Sequence, residues 1–206
     1  MTTPKYCGNK KDKYKILNPR AKNMRRLLHT ILLAIFFLLS PISPFAQDKP
    51  PAWSVYFSPH GGCTDAIIKE LNSAKSTILV QAHIFTSAPI AKGLLDAHKR
   101  KIKVEIILDK INIEKKSYSA ANFFFNQGIP VRIDSAHAIA RNKIMIIDGE
   151  TVITGSFNFT RASEENNAEN LLIIHDKKLA DLYTKNWKDH EKHSEEYVGR
   201  AKERNL

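Results

Sequence analysis

The sequence predicts an α/β fold: a mostly parallel central sheet flanked by helices on both faces, built as one domain. Three observations predict it. Short runs rich in Ile, Val and Leu alternate along the chain with segments whose apolar residues recur every three or four positions. The length of 206 residues supplies one core of ordinary size. A composition of 43% hydrophobic and 26% charged residues, with 8 Gly and 9 Pro, excludes disordered, collagen-like and coiled-coil classes.

Each element has its own signal. Residues 53–58 read as a strand, and Pro59, His60, Gly61 and Gly62 turn the chain. Ile67, Ile68, Leu71 and Ala74 fall at helical spacing over 64–74, with Thr64 as the expected cap. A β-branched run over 77–85 predicts a strand, and Ile90, Leu94, Leu95 and Ala97 line one side of a helix over 89–100. A buried strand over 102–108 leads through a polar loop at 112–116 to a helix over 119–126, which Gly128 ends. Strands are expected at 131–133, 143–147, 151–154 and 171–174. Leu179, Leu182, Tyr183 and Trp187 form an inward stripe on a final helix over 177–193. No internal repeat and no second domain is evident.

The N-terminus has a different character. Residues 1–46 hold nine Lys and Arg against one acid, whereas residues 47–206 hold 23 basic and 20 acidic side chains, a net of +3. The overall charge of +11 is therefore mostly a leader property, and it cannot by itself name a nucleic-acid partner. Arg25 and Arg26 precede a 13-residue apolar run, Leu27 to Leu39, and then Ser40, Pro41, Ser43, Pro44 and Ala46. That order is the pattern of a secretory signal, and the run falls short of the roughly 20 residues of a membrane span. The expected organisation is a basic leader or mis-chosen start over 1–23, a signal peptide over 24–46 and a single domain over 47–206, secreted or periplasmic. Cleavage leaves Cys63 alone, so it is either buried or open to pairing between subunits, and a cysteine-based zinc site is excluded.

Residues 143–158 read KIMIIDGETVITGSFN. Lys143, Asp148, Gly155, Ser156 and Asn158 resemble the second part of the HxKxxxxDxxxxxxGSxN signature of the phospholipase D superfamily. Five fixed positions recur by chance in a chain of this length on the order of one time in ten thousand. The stretch GSFNFT at 155–160, the pair Asn167 and Glu169, and IFTSAPIAKGLL after the second strand are similar to short members with one motif copy, which include periplasmic endonucleases and small secreted phospholipases D. The resemblance implies phosphodiester hydrolysis through a phosphohistidine, with no cofactor and no metal. It also implies a homodimer whose pocket lies on the two-fold axis, because the two-histidine mechanism needs two motif copies.

Where the family has its nucleophilic histidine, this sequence has Arg141. A guanidinium has five donors, no acceptor and a pKa above about 12, so it binds phosphate well and attacks phosphorus badly. In a strand Arg141 and Lys143 share a face and can meet one phosphate. Lys143 is expected to stabilise charge on the non-bridging oxygens, Ser156 and Asn158 to hydrogen-bond at the pocket edge, and Glu169 to pair with Arg141. Asp148 is expected to brace the pocket, while Asp148–Gly149 is also a hairpin signal.

Three functions are expected: a phospholipid-directed phosphodiesterase touching membrane through its substrate or an uncleaved signal; a non-specific DNA or RNA endonuclease; and an inactive phosphate-binding dimer. The remaining polar residues have plainer readings. His137 is too far from Lys143 along an extended chain to replace the nucleophile unless the loop doubles back. His83 shares a strand face with Gln81 and reads first as a hydrogen-bonded histidine, although sheet-end residues of this architecture reach the pocket. His60 reads as a loop residue; His190 and His193, spaced by three unlike HExxH, read first as a charged helix end and only secondarily as a metal pair; Lys99, Arg100, Lys101 and Lys103 read as a helix terminus favouring cations, with contact to an anionic polymer or lipid surface as the alternative; and Phe123 to Phe125 read as core.

Overall fold

The computed structural model describes residues 52–114 and 119–199, together with residue 23 of the expected leader and residues 28–30 of the expected signal. Most of the expected leader and signal, part of the loop at 112–116 and the last seven residues lie outside the described residues. Contacts divide the chain into Met1–Asp48 and Lys49–Leu206. The sheet and the motif belong to the second unit.

Its elements are β1 (Trp53–Ser58), α1 (Cys63–Ser73), β2 (Thr77–Ala82), α2 (Ala88–Lys99), β3 (Lys103–Asp109), α3 (Ile111–Glu114), α4 (Ala120–Asn126), β4 (Val131–Asp134), β5 (Lys143–Ile147), β6 (Thr151–Gly155), α5 (Arg161–Glu165), β7 (Glu169–His175), α6 (Lys177–His193) and β8 (Glu195–Glu196). All eight strands form one sheet in the order β1-β7-β6-β5-β2-β3-β4-β8.

The α/β class and the flanking helices are as expected, but the sheet is mixed rather than mostly parallel. Only β2–β3 and β3–β4 are parallel neighbours; the other five pairs are antiparallel. Connection length accounts for the two parallel pairs and for the β5–β6 hairpin. A parallel neighbour needs a crossover of a dozen or more residues, which α2 and α4 provide with their loops. Between β5 and β6 there are three residues, and the hairpin closes by Glu150 N–H donating to Ile147 O at 3.0 Å. Asp148 and Gly149 take φ of 55° and 65°, as a type I′ turn demands.

Each face of the sheet has its own core. On one, Val80, Ala82, Ile106, Leu108, Met145 and Ile153 pack beneath α1, α2 and α4, joined by the buried rings of Phe85, Phe124, Phe157 and Phe159. On the other, Leu79, Ile107, Ile144, Ile146 and Val152 meet Ala180 and Trp187 of α6, and Trp187 Nε1 donates to Val80 O at 2.9 Å. The α6 stripe therefore centres on Ala180, Tyr183 and Trp187. Leu182, expected inward, lies about 100° around the helix from Tyr183 and is exposed. Phe124 alone of the three consecutive phenylalanines is fully buried; Phe125 is exposed and meets Tyr197 edge to face.

Helix starts follow the local chemistry. Ser87, Ser119 and Asp176 cap α2, α4 and α6 by accepting from Ile90, Asn122 and Leu179 N–H groups. Thr64 does not cap α1. The helix begins one residue earlier, Gly62 takes φ 78° before it, and the Gly62 and Thr64 N–H groups donate to the Glu164 carboxylate at 3.2 and 2.7 Å.

Candidate active site

The strand directions bring the motif to one sheet edge. β5 runs antiparallel to β2 with Ala82 opposite Lys143, and β7 runs antiparallel to β1 with Ser58 opposite Glu169. The β5–β6 register, which pairs Met145 with Ile153, continues to place Lys143 across from Gly155. The starts of β5 and β7 and the ends of β1, β2, β3 and β6 thus converge.

Lys143 is half-buried there and its Nζ donates to Arg141 O at 2.9 Å. Burial pushes its ammonium below the usual lysine value, the Arg141 charge pushes it further, and Glu169 opposes both. Arg141 is exposed, and among the described residues no ion pair joins it to Glu169. The carboxylate of Glu169 instead accepts from Asn167 Nδ2 at 3.2 Å, while its backbone N–H donates to Ser58 Oγ. Ser156 Oγ accepts from the Asn170 backbone N–H at 3.1 Å, which anchors the segment after β6 to β7. Gly155 permits this close approach: at φ 148° it lies against the Asn170 carbonyl, where a Cβ would collide.

His83 joins this group, which the plainer sequence reading passed over. It follows β2 directly, its N–H donates to Asn142 O at 2.7 Å, and its ring lies beside the Asn158 side chain. Burial lowers its pKa, Lys143 and Arg141 lower it further, and Asp109 and Asn158 offset this only in part. These influences favour the neutral ring, which carries a lone pair where a guanidinium has none. The buried Asn158 Oδ1 has no hydrogen-bonding partner. The available sequence signal was position: a histidine at the exit of a central strand, just where the motif strand begins.

Asp148 is not at this edge. The five residues of β5 separate it from Lys143 by about 16 Å at ~3.3 Å per residue. Its carboxylate accepts from the N–H groups of Lys75, Ser76 and Thr77 and from Ser76 Oγ at 2.8–3.0 Å, tying the β5–β6 turn to the start of β2. Its expected place in the pocket is corrected to a structural one at the far edge. A cavity of about 430 Å³ opens between Thr64, Ser87, Arg161 and Glu164, and none of the motif residues lines it. It is not the pocket expected around Lys143.

The remaining candidates resolve plainly. Cys63 is buried, and its thiol is pushed up to about 11 by burial and then by Glu164 and Glu169, so it is no nucleophile at neutral pH. His60 is a loop residue whose N–H donates to Glu164 O. Arg100 closes α2 by donating to Leu71 O at 2.8 Å. His190 and His193 are not a solvated helix end: both turn onto the buried Asp134, as does His137.

Comparison with known proteins agrees with the motif. The family model described as "Cardiolipin synthase, PLD-like domain" matches residues 67–190. A phospholipase D of Rickettsia conorii is 42% identical over 146 residues, 71% of each chain. A mitochondrial cardiolipin hydrolase of Canis lupus familiaris is 28% identical over 139 residues, covering 67% of this chain and 54% of that protein. Among solved structures, Nuc from Salmonella typhimurium, a phospholipase D family member, superposes with a TM-score of 0.68 at 38% identity, over 72% of this chain and 99% of that one. Motif, fold and relatives agree: the chain belongs to the phospholipase D superfamily, a class of phosphodiesterase hydrolases.

Proposed function

We infer that this protein is a phospholipid-directed phosphodiesterase in which Arg141 and Lys143 hold the phosphate and His83 supplies the imidazole that position 141 lacks. The observation that carries the reading is the His83 imidazole standing with Lys143, Arg141 and Asn158 at one sheet edge. Two cations bind a phosphodiester anion, and Lys143 takes up the charge that accumulates on the non-bridging oxygens. The imidazole lone pair attacks phosphorus and the head-group oxygen leaves with the bonding electrons and a proton from water; a second water then cleaves the phosphorus–nitrogen bond and frees the ring. Ser156 and Asn158 orient the phosphate, and Glu169 balances Lys143.

Lipid is preferred over nucleic acid because the 42% identical Rickettsia relative is a phospholipase D and the chain beyond residue 46 carries only +3. A homodimer belongs to the same reading. Trp53, Val55 and Phe57 project from one face of the edge strand β1, 54%, 38% and 63% exposed, beside Leu172 and Ile174 of β7. An apolar strip on an outer strand is a surface that a second copy covers. The signal-like pattern at 24–46 supports a location outside the cytoplasm, secreted or periplasmic, as part of the same reading.

The test compares native protein with Arg141→His and His83→Gln variants on an aryl phosphodiester, on phosphatidylcholine vesicles and on DNA. Expected are turnover of the lipid by native protein, its loss in His83→Gln and its increase in Arg141→His. Turnover that survives His83→Gln overturns the nucleophile. Turnover appearing only in Arg141→His favours the second reading, a phosphate-binding dimer, for which Arg141 itself speaks. Cleavage of DNA with steep salt dependence, and none of lipid, favours the endonuclease.

A further inference from the structure

Asp134 ends β4 fully buried, and among the described residues no Lys or Arg pairs with it. Three imidazoles surround it instead. His137 Nδ1 stands 3.1 Å from Oδ1, His193 Nε2 3.4 Å from Oδ1, and His190 Nδ1 2.7 Å from Oδ2. The ring centroids are 5.0, 5.1 and 5.2 Å apart, a nearly equilateral triangle closed by the carboxylate. One nitrogen from each ring and one Asp134 oxygen all lie within 4.8 Å of one another.

We propose that Asp134, His137, His190 and His193 bind one divalent transition-metal ion, with zinc the best match. Three imidazole nitrogens and one carboxylate oxygen are a donor set of intermediate softness, suited to zinc rather than to calcium or magnesium. With bonds of about 2.0–2.1 Å, the ligand atoms of a tetrahedral zinc are separated by about 3.3 Å. The contacts of His137 and His193 with Asp134 already have that spacing. The frame is also fixed before any ion arrives. His190 and His193 are three apart on the last turn of α6 and so share a face. The chain then returns along β4 as β8, pairing Arg132 with Glu196 and Ile133 with Glu195. His137 and His193 are partly exposed and give a route in, while Asp134 and His190 form the closed side.

This site is separate from the phosphodiester chemistry, since β2 and β3 lie between β4 and the motif strand β5. It bears on that chemistry by position. Residues 135–142 run from Asp134 to Lys143, and the segment is held by Lys110 Nζ donating to His137 O at 3.1 Å and by Ala140 N–H donating to Asp109 Oδ2 at 2.6 Å. An ion on His137 staples this segment to α6 and sets the backbone that delivers Arg141 and Lys143.

The test uses the full chain, stripped with a chelator and then titrated with zinc chloride by calorimetry. Expected are one zinc per chain, a thermal midpoint higher by about 5–10 °C with zinc a hundredfold above Kd, and, with cobalt(II), the visible absorption of a four-coordinate ion. Amide exchange across 135–142 slows when zinc is bound. His137→Ala and His193→Ala remove partly exposed rings that the fold tolerates, and each weakens zinc binding by at least about tenfold with the circular dichroism unchanged. The proposal is overturned if the stripped protein takes up no stoichiometric zinc, or if the doubly substituted protein binds it as tightly as the native chain.

Discussion

Replacing Asp148 tests whether the motif aspartate serves stability or binding. Its carboxylate receives three backbone N–H groups and one hydroxyl at 2.8–3.0 Å, mostly at the solvent-facing edge. Exposed bonds of this kind contribute about 1 kcal/mol each, so losing the three backbone bonds costs about 3 kcal/mol. Alanine adds about 1 kcal/mol more because a Cβ without a polar group is disfavoured at the φ of 55° that the turn requires. The expected order is Asp148→Asn least damaging, Asp148→Gly intermediate and Asp148→Ala worst. For a domain near 150 residues, 4 kcal/mol corresponds to a fall in Tm of roughly 8–16 °C. Calorimetry reads the fall, and phosphate binding by the folded fraction should stay unchanged. The pH dependence has a definite sign. Burial raises the Asp148 carboxyl, but the bonds from Thr77, Lys75 and Ser76 outweigh it and leave the folded pKa below the ordinary value. The stabilisation is therefore complete above the unfolded pKa of about 3.9 and disappears as pH falls through the folded one, so native and alanine curves converge in acid. An Asp148→Ala protein with native Tm and lost phosphate affinity would refute this reasoning and return Asp148 to the site.

Three further outcomes are expected. Gly155→Ala drives a methyl into the Asn170 carbonyl at a φ that L-residues avoid, and should cost about 3 kcal/mol in urea denaturation; an unchanged midpoint contradicts the close approach of β6 to β7. Because burial and Arg141 depress the Lys143 ammonium, affinity for an aryl phosphodiester should fall with rising pH before the ordinary lysine value of about 10.4 is reached; an alkaline limb at or above that value refutes it. Trp53→Glu combined with Phe57→Glu should turn a dimer into a folded monomer in sedimentation, and an unchanged mass removes β1 from the interface.

What the sequence determined by itself was local. Apolar periodicity located the main helices and strands to within a few residues, because side-chain spacing registers which face of an element is buried. The motif from Lys143 to Asn158 was legible because the family keeps it within one hairpin, and Asp148–Gly149 announced the turn of that hairpin. Tertiary structure decided the rest. Strand direction in the sheet depended on which strands became neighbours, and the final pairing of β7 with β1 lies more than a hundred residues apart in sequence. Five extended residues carried Asp148 away from the lysine with which it shares a motif. Folding brought His83 to Asn158, and His190 and His193 to an aspartate some sixty residues earlier. Spacing along a chain records which way a side chain faces, but whether distant groups meet depends on how the strands that carry them are ordered.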